Sequence, residues 1–204
     1  MLLLGLFLFA VAIVLILESK LGLSPWDVLN QGLAKHSVLS FGMANVAIGL
    51  TVLLVGWLLG GAPGIGTLAN AVLVGSFIQL LTWIPAVSDL SDDGLVARIV
   101  FLVVGIALIG PASALYIGAD LGAGPRDTLM LVGARRTGIR VGAVRAVIEI
   151  CALAVGIALG GTFGVGTVAF ALLVGPVVEG SFFVLSRLPL ALDEPVSSPA
   201  VIGE

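Results

Sequence analysis

Three ionisable side chains fall inside stretches that otherwise carry almost no charge: Arg145, Glu149 and Glu179. A charged group at bilayer depth is costly; where one occurs it faces a bundle interior or a water-filled cavity and marks an ion or solute path. Arg145 and Glu149 are four residues apart and share a helix face. Helix rise puts Glu149 about 12 Å and Glu179 about 10 Å in from the same, cytoplasmic side of the membrane. The three are expected to form a polar cluster lining a cavity. An internal Arg145–Glu149 pair is the competing reading. Asn45, Asn70 and Gln79 are secondary polar groups, of the kind that serve helix association at about 0.6 kcal/mol each. With one cysteine (Cys151), one histidine (His36) and no nucleophile motif, neither a metal, a cofactor nor catalysis is expected.

The elements that carry these groups are set by composition. Of 204 residues, 59% are hydrophobic and 10% charged, and the formal charge is -3. A nucleic-acid surface is excluded by that balance. Six stretches approach the roughly 20 apolar residues that cross a bilayer: 1–17, 43–59, 67–84, 99–116, 141–159 and 167–185. The first has no basic n-region and no A-x-A site, so it reads as a retained span rather than a signal peptide. Arg126, Arg135, Arg136, Arg140, Arg145 and Arg187 fall on one side, against Lys20, Lys35 and Arg98 on the other. The positive-inside rule then puts both termini in the cytoplasm of a multi-pass cell-membrane protein. Trp26, Trp57 and Trp83 are expected to be interfacial anchors, and His36 a solvated loop residue.

A shift of 100 residues lays the chain on itself without a gap. Leu21 to Leu29 matches Leu121 to Leu129, including Pro25 and Asp27 against Pro125 and Asp127. Gly64, Gly66 and Thr67 meet Gly164, Gly166 and Thr167. This divides one membrane domain into a first repeat (1–84), a polar linker (85–97) with Asp89, Asp92 and Asp93, a second repeat (98–188) and a frayed tail (189–204). Three spans per half is odd, so the second half must insert from the opposite face. The fold expected is all-α: six transmembrane helices as two inverted three-helix repeats. Each repeat adds a short helix, Pro25–His36 and Pro125–Gly138, too short to cross and therefore interfacial or re-entrant.

Ser24, Pro25 and Asp27 have the spacing of a helix start, so Asp27 and Asp127 read as capping groups, with cation coordination as the alternative. The Gly-x-Gly-Thr segments lack the lysine of a phosphate loop and read as tight hairpin turns. Under the inverted arrangement the Asp27 loop shares a face with Gly164 and Gly166, and the Asp127 loop with Gly64 and Gly66. Gly56-x-x-x-Gly60 and Gly156-x-x-x-Gly160 are expected to pack the second span on the fifth, with homodimerisation as the competing use.

The Gly22–Asp27 and Gly122–Asp127 segments and the G-x-G-T turns resemble the YczE/YyaS/YitT family of bacterial membrane proteins, above all its YczE branch, over the chain to about Leu188. The resemblance implies an integral membrane protein and no catalytic or transport residue. Gly124 and Arg126 depart from Ser24 and Trp26 and weaken the second cap. Lipid is the expected surrounding, and a small solute or ion the expected cargo of a transporter or channel. The alternative is a non-transporting scaffold or regulator that uses the Arg135-Arg136-Arg140 block.

Overall fold

The structure, a computed structural model, describes residues 1–88, 94–122, 124–185 and 187. Asp89, Asp92 and Asp93 of the linker and the tail 189–204 lie outside them. Six helices are long and apolar enough to cross a membrane: α1 (Leu2–Ser19), α3 (Phe41–Leu58), α4 (Ile65–Thr82), α6 (Leu95–Ile117), α8 (Val141–Ala158) and α9 (Val165–Leu185). Between them come α2 (Pro25–Lys35), a single turn α5 (Pro85–Ser88) and α7 (Pro125–Thr137). No strand occurs among the described residues. Helix α6 begins at Leu95, inside the segment expected to be linker. There Arg98 donates from Nε to the Ser19 carbonyl (2.6 Å) and from Nη2 to the Lys20 carbonyl (2.9 Å), closing the C-terminal end of α1.

Local sequence sets the short helices. Ser24 Oγ accepts from the Asp27 N–H (3.3 Å) with Pro25 in the first turn, so α2 starts where the spacing requires. Gly138, at φ 70, ends α7 in the left-handed conformation that glycine adopts without cost. At 11 and 13 residues they reach about 16 and 20 Å.

The centre is α1 packed on α6. A methyl on Gly5 would lie 2.7 Å from the Tyr116 nitrogen, and one on Gly105 3.0 Å from the Ala12 carbonyl, so these repeat-equivalent helices run antiparallel. Leu6, Ala10 and Ile13 of α1 pack with Val74 and Ile78 of α4, while Ala12 and Ile16 pack with Leu102, Ile106 and Ile109 of α6. Helix α4 flanks α1, and α9 correspondingly flanks α6.

The halves exchange their short helices: α2 lies on α8 of the other half, and α7 lies on α3. A methyl on Gly156 would lie 2.6–2.8 Å from the backbone of Val28 and Leu29, and one on Gly56 3.6–3.8 Å from Thr128 and Leu129. These glycines therefore seat a short helix, where span-on-span packing was expected. Gly60 and Gly160 are turn residues at φ 91 and 72. The Gly56 and Gly156 faces are occupied within the chain.

Candidate functional site

The loops before α2 and α7 dock on the Gly-x-Gly-Thr turns of the opposite half. The Gly166 N–H donates to the Leu21 carbonyl (2.8 Å), and the Gly66 N–H to the Leu121 carbonyl (2.7 Å). Within each turn the threonine folds back: Thr67 Oγ1 accepts from the Gly64 N–H (3.1 Å) and Thr167 Oγ1 from the Gly164 N–H (3.3 Å). Both threonines are buried. At the far end of α2, Lys35 Nζ donates to the Gly160 carbonyl (2.5 Å). Arg136 Nε likewise donates to the Leu59 carbonyl (2.8 Å), so one member of the basic block is engaged within the chain.

This docking brings the starts of α2 and α7 together inside the bundle. The Arg126 guanidinium lies 5.0 Å from the centre of the Trp26 ring, a cation–π contact between repeat-equivalent positions. Trp26, expected at an interface, is buried; Trp57 and Trp83 are exposed near span ends. Around the junction is a cavity of about 170 Å³. Arg126 and Asp127 of α7 line it, with Arg145 and Glu149 of α8. Asn45, Asn70, Ser113 and Tyr116 supply uncharged polar groups, and Phe9, Ile13 and Val174 an apolar wall.

Arg145 Nε donates to Glu149 Oε1 at 2.9 Å. Their side chains are 52% and 29% exposed, so the pair is not sealed within the protein. Glu179 stands apart: it is exposed on α9 and does not line the cavity. Gln79 is also outside it, accepting from Ser40 Oγ at the open end of the α3–α4 hairpin. Of the sequence-selected groups the structure thus gathers Arg145, Glu149, Asn45, Asn70, Pro25, Pro125 and Asp127. Arg126, Trp26, Tyr116 and Ser113 join them unannounced. The one sequence signal was the repeat itself, which sets arginine where the first half has tryptophan.

The two matched aspartates have parted in role. Asp27 is buried, accepting from Ser24 Oγ (2.5 Å) and Asn30 Nδ2 (3.1 Å), which completes a cap. Desolvation pushes its carboxyl above the ordinary range, against the lowering effect of Arg126 and of the Ser24 and Asn30 hydrogen bonds. Asp127 has Gly124 in place of a capping serine and faces the cavity. Desolvation raises it too, opposed by Arg145 and Arg126. Arg126 is drawn down by desolvation and held up by Asp27 and Asp127; a guanidinium keeps its proton throughout. Replacing Ser24 by alanine is expected to cost about 1–2 kcal/mol, from the lost cap and an under-partnered Asp27, read as a lower unfolding midpoint in detergent.

Trp26 Nε1 and Asn45 Nδ2 are buried N–H donors with no hydrogen-bond partner among the described residues, and both residues line the cavity. Among the described residues no group of three His, Cys, Asp or Glu could hold a metal ion.

A family of unknown function (DUF6198) matches residues 1–181. An uncharacterized protein of Haemophilus influenzae is 38% identical over 175 residues, covering 86% of this chain and 78% of that protein. The uncharacterized membrane protein YczE of Bacillus subtilis is 37% identical over 180 residues, covering 87% and 81%. Uncharacterized protein YyaS of the same organism is 27% identical over 192 residues, covering 90% and 94%. No solved structure matches the chain. Six apolar helices together with a membrane-protein relative make this a multi-pass membrane protein, and the match over residues 1–181 places the chain in the DUF6198 family.

Proposed function

We propose that the chain is a small-solute or ion transporter or channel, built from two halves inserted in opposite senses, whose cargo occupies the cavity where α2 and α7 meet. The observation that carries this reading is the convergence of Arg126, Asp127, Arg145 and Glu149 on one cavity, at the starts of two short helices supplied by opposite halves. Helix starts present unpaired N–H groups and a positive dipole end, which suits a charged or zwitterionic solute. The unpartnered donors of Trp26 and Asn45 supply further hydrogen bonds. A cavity of this volume takes a molecule of about benzene's size. In this reading both termini are cytoplasmic, α2 enters the cell membrane from the outside and α7 from the cytoplasm.

Inverted insertion has a direct test. Ser37 and Thr137 are repeat-equivalent, exposed, and sit just beyond α2 and at the end of α7. On a Cys151→Ser background, Ser37→Cys is expected to react with an impermeant maleimide from outside whole cells, and Thr137→Cys only in inverted vesicles. Reaction of both from one side would overturn the arrangement. Solute movement is tested by incubating proteoliposomes with a cytosolic small-molecule extract and comparing their contents by mass spectrometry. Failure of any small charged molecule to enter beyond the empty-vesicle level would count against transport.

A further inference from the structure

The two hairpins are alike in sequence and unlike in packing. In the first, α3 and α4 lie against each other. A methyl on Gly42 would sit 2.5 Å from the Gly75 carbonyl, and one on Gly75 2.5 Å from Val46 Cγ2. Ser40 Oγ donates to Gln79 Oε1 across the open ends of this hairpin. In the second hairpin the equivalents Gly142 and Gly175 have nothing within 4 Å of their Cβ positions, and α8 and α9 hardly touch. Helix α3 buries Gly42, Ala44, Asn45, Val52 and Gly56. Its equivalent α8 buries Ala152 and Gly156, and α9 only Gly166 and Thr167, at its start.

The other principal packings recur under the 100-residue offset: α1 on α4 as α6 on α9, α2 on α8 as α7 on α3, and α2 on α3 as α7 on α8. The α3–α4 contact is the one major packing without a counterpart. Glycine inside a helix is unfavourable relative to alanine unless a close approach uses it. Gly42 and Gly75 are so used; Gly142 and Gly175 are not in this arrangement. Their flanking residues match the same purpose, because the positions equivalent to Ser40 and Gln79 are Arg140 and Glu179, of opposite charge and both exposed. Helix α9 also carries Pro176 where α4 has Ser76, and proline inside a helix is the usual origin of a kink.

We propose that the open end of α8–α9 closes as α3–α4 is closed here, with Gly142 meeting Gly175 and Arg140 pairing with Glu179, and that α3–α4 then parts at the opposite end. The described arrangement is one of two exchangeable states. In it the first hairpin is closed at the Ser40–Gln79 end and the second is apart at the Arg140–Glu179 end. This rests on the reading of the cavity as a solute path and gives that path its gates. It also gives Glu179, which lies outside the cavity, a role at the rim: its partner arrives only on closure.

The test uses the full chain in membrane vesicles on a Cys151→Ser background. A short bis-thiol reagent is expected to join Arg140→Cys to Glu179→Cys, and in a separate chain Ser40→Cys to Gln79→Cys, since each pair is in contact in one state. Adding Gly175→Leu fills the space that closure needs. It should reduce the first cross-link at least tenfold and leave the second unchanged, which also shows that the variant is folded. A Ser40–Gln79 cross-link without an Arg140–Glu179 cross-link would overturn the proposal. So would an Arg140–Glu179 yield indifferent to Gly175→Leu. Neither measurement needs a solute, so loss of the transport reading and loss of the gate are separate results.

Discussion

Replacing Gly22 by alanine is expected to destabilise the protein by about 3 kcal/mol, the combined scale of a strained left-handed residue and an overpacked contact. Gly22 adopts φ +122, and a methyl there would lie 2.8 Å from Thr167 Oγ1 and 2.8 Å from the Gly164 nitrogen. Nothing nearby can yield, because both atoms belong to the turn that receives this loop. Gly122 is its counterpart, at φ +117 with Thr67 Oγ1 at 2.7 Å, and should behave alike. Gly160→Ala is the informative comparison. At φ +72 it carries backbone strain but has nothing within 4 Å, so about 1–2 kcal/mol is expected. Thermal unfolding in detergent measures all three. Equal midpoints for Gly22→Ala and Gly160→Ala would mean that loop-on-turn docking contributes nothing to stability.

Under the transport function proposed above, substituting Arg126 by glutamine should lower solute uptake at least tenfold. The guanidinium lines the cavity against the Trp26 ring and is attracted by the Asp27 and Asp127 carboxylates. Glutamine retains hydrogen-bonding capacity and removes the charge, so a residue needed only to fill space would tolerate the change. Trp26→Phe keeps an aromatic face for the cation and removes the unpartnered indole N–H; a smaller loss is expected from it. Uptake into proteoliposomes at matched protein density is the measurement. Undiminished uptake by Arg126→Gln would remove the cavity from the pathway.

Much of the scaffold was legible because lipid imposes a simple demand. Each span must be a run of apolar residues, and the six runs differ from the observed helices mainly at their ends. The start of α2 was legible for a local reason: Ser24, Pro25 and Asp27 specify a cap whatever surrounds them. The α6 start was missed by four residues because Arg98 reads as a charge flanking the apolar run until its carbonyl partners at the end of α1 are known.

The cavity was only half legible. Arg145 and Glu149 announce themselves as charges in an apolar run, and Asn45 and Asn70 as polar interruptions. Arg126 counted only toward the charge balance of one side, since nothing in a linear reading brings it against Trp26 of the opposite half. Tyr116 and Ser113 are uncharged members of a span and carry no distinguishing mark until α6 is wound around the cavity. Glu179 shows the converse. Depth along a helix can be counted from sequence, but rotation depends on which neighbour the helix packs against, and α9 leans on α6 rather than α8.

The exchange of short helices has a consequence for how the molecule holds together. Each three-span unit receives the other unit's α2 or α7, and each loop is hydrogen-bonded to the opposite turn. Carried on one chain, the two parts that clasp each other are always present together at high local concentration. Such a molecule is, in its contacts, a dimer of unlike siblings that happens to be translated as one chain.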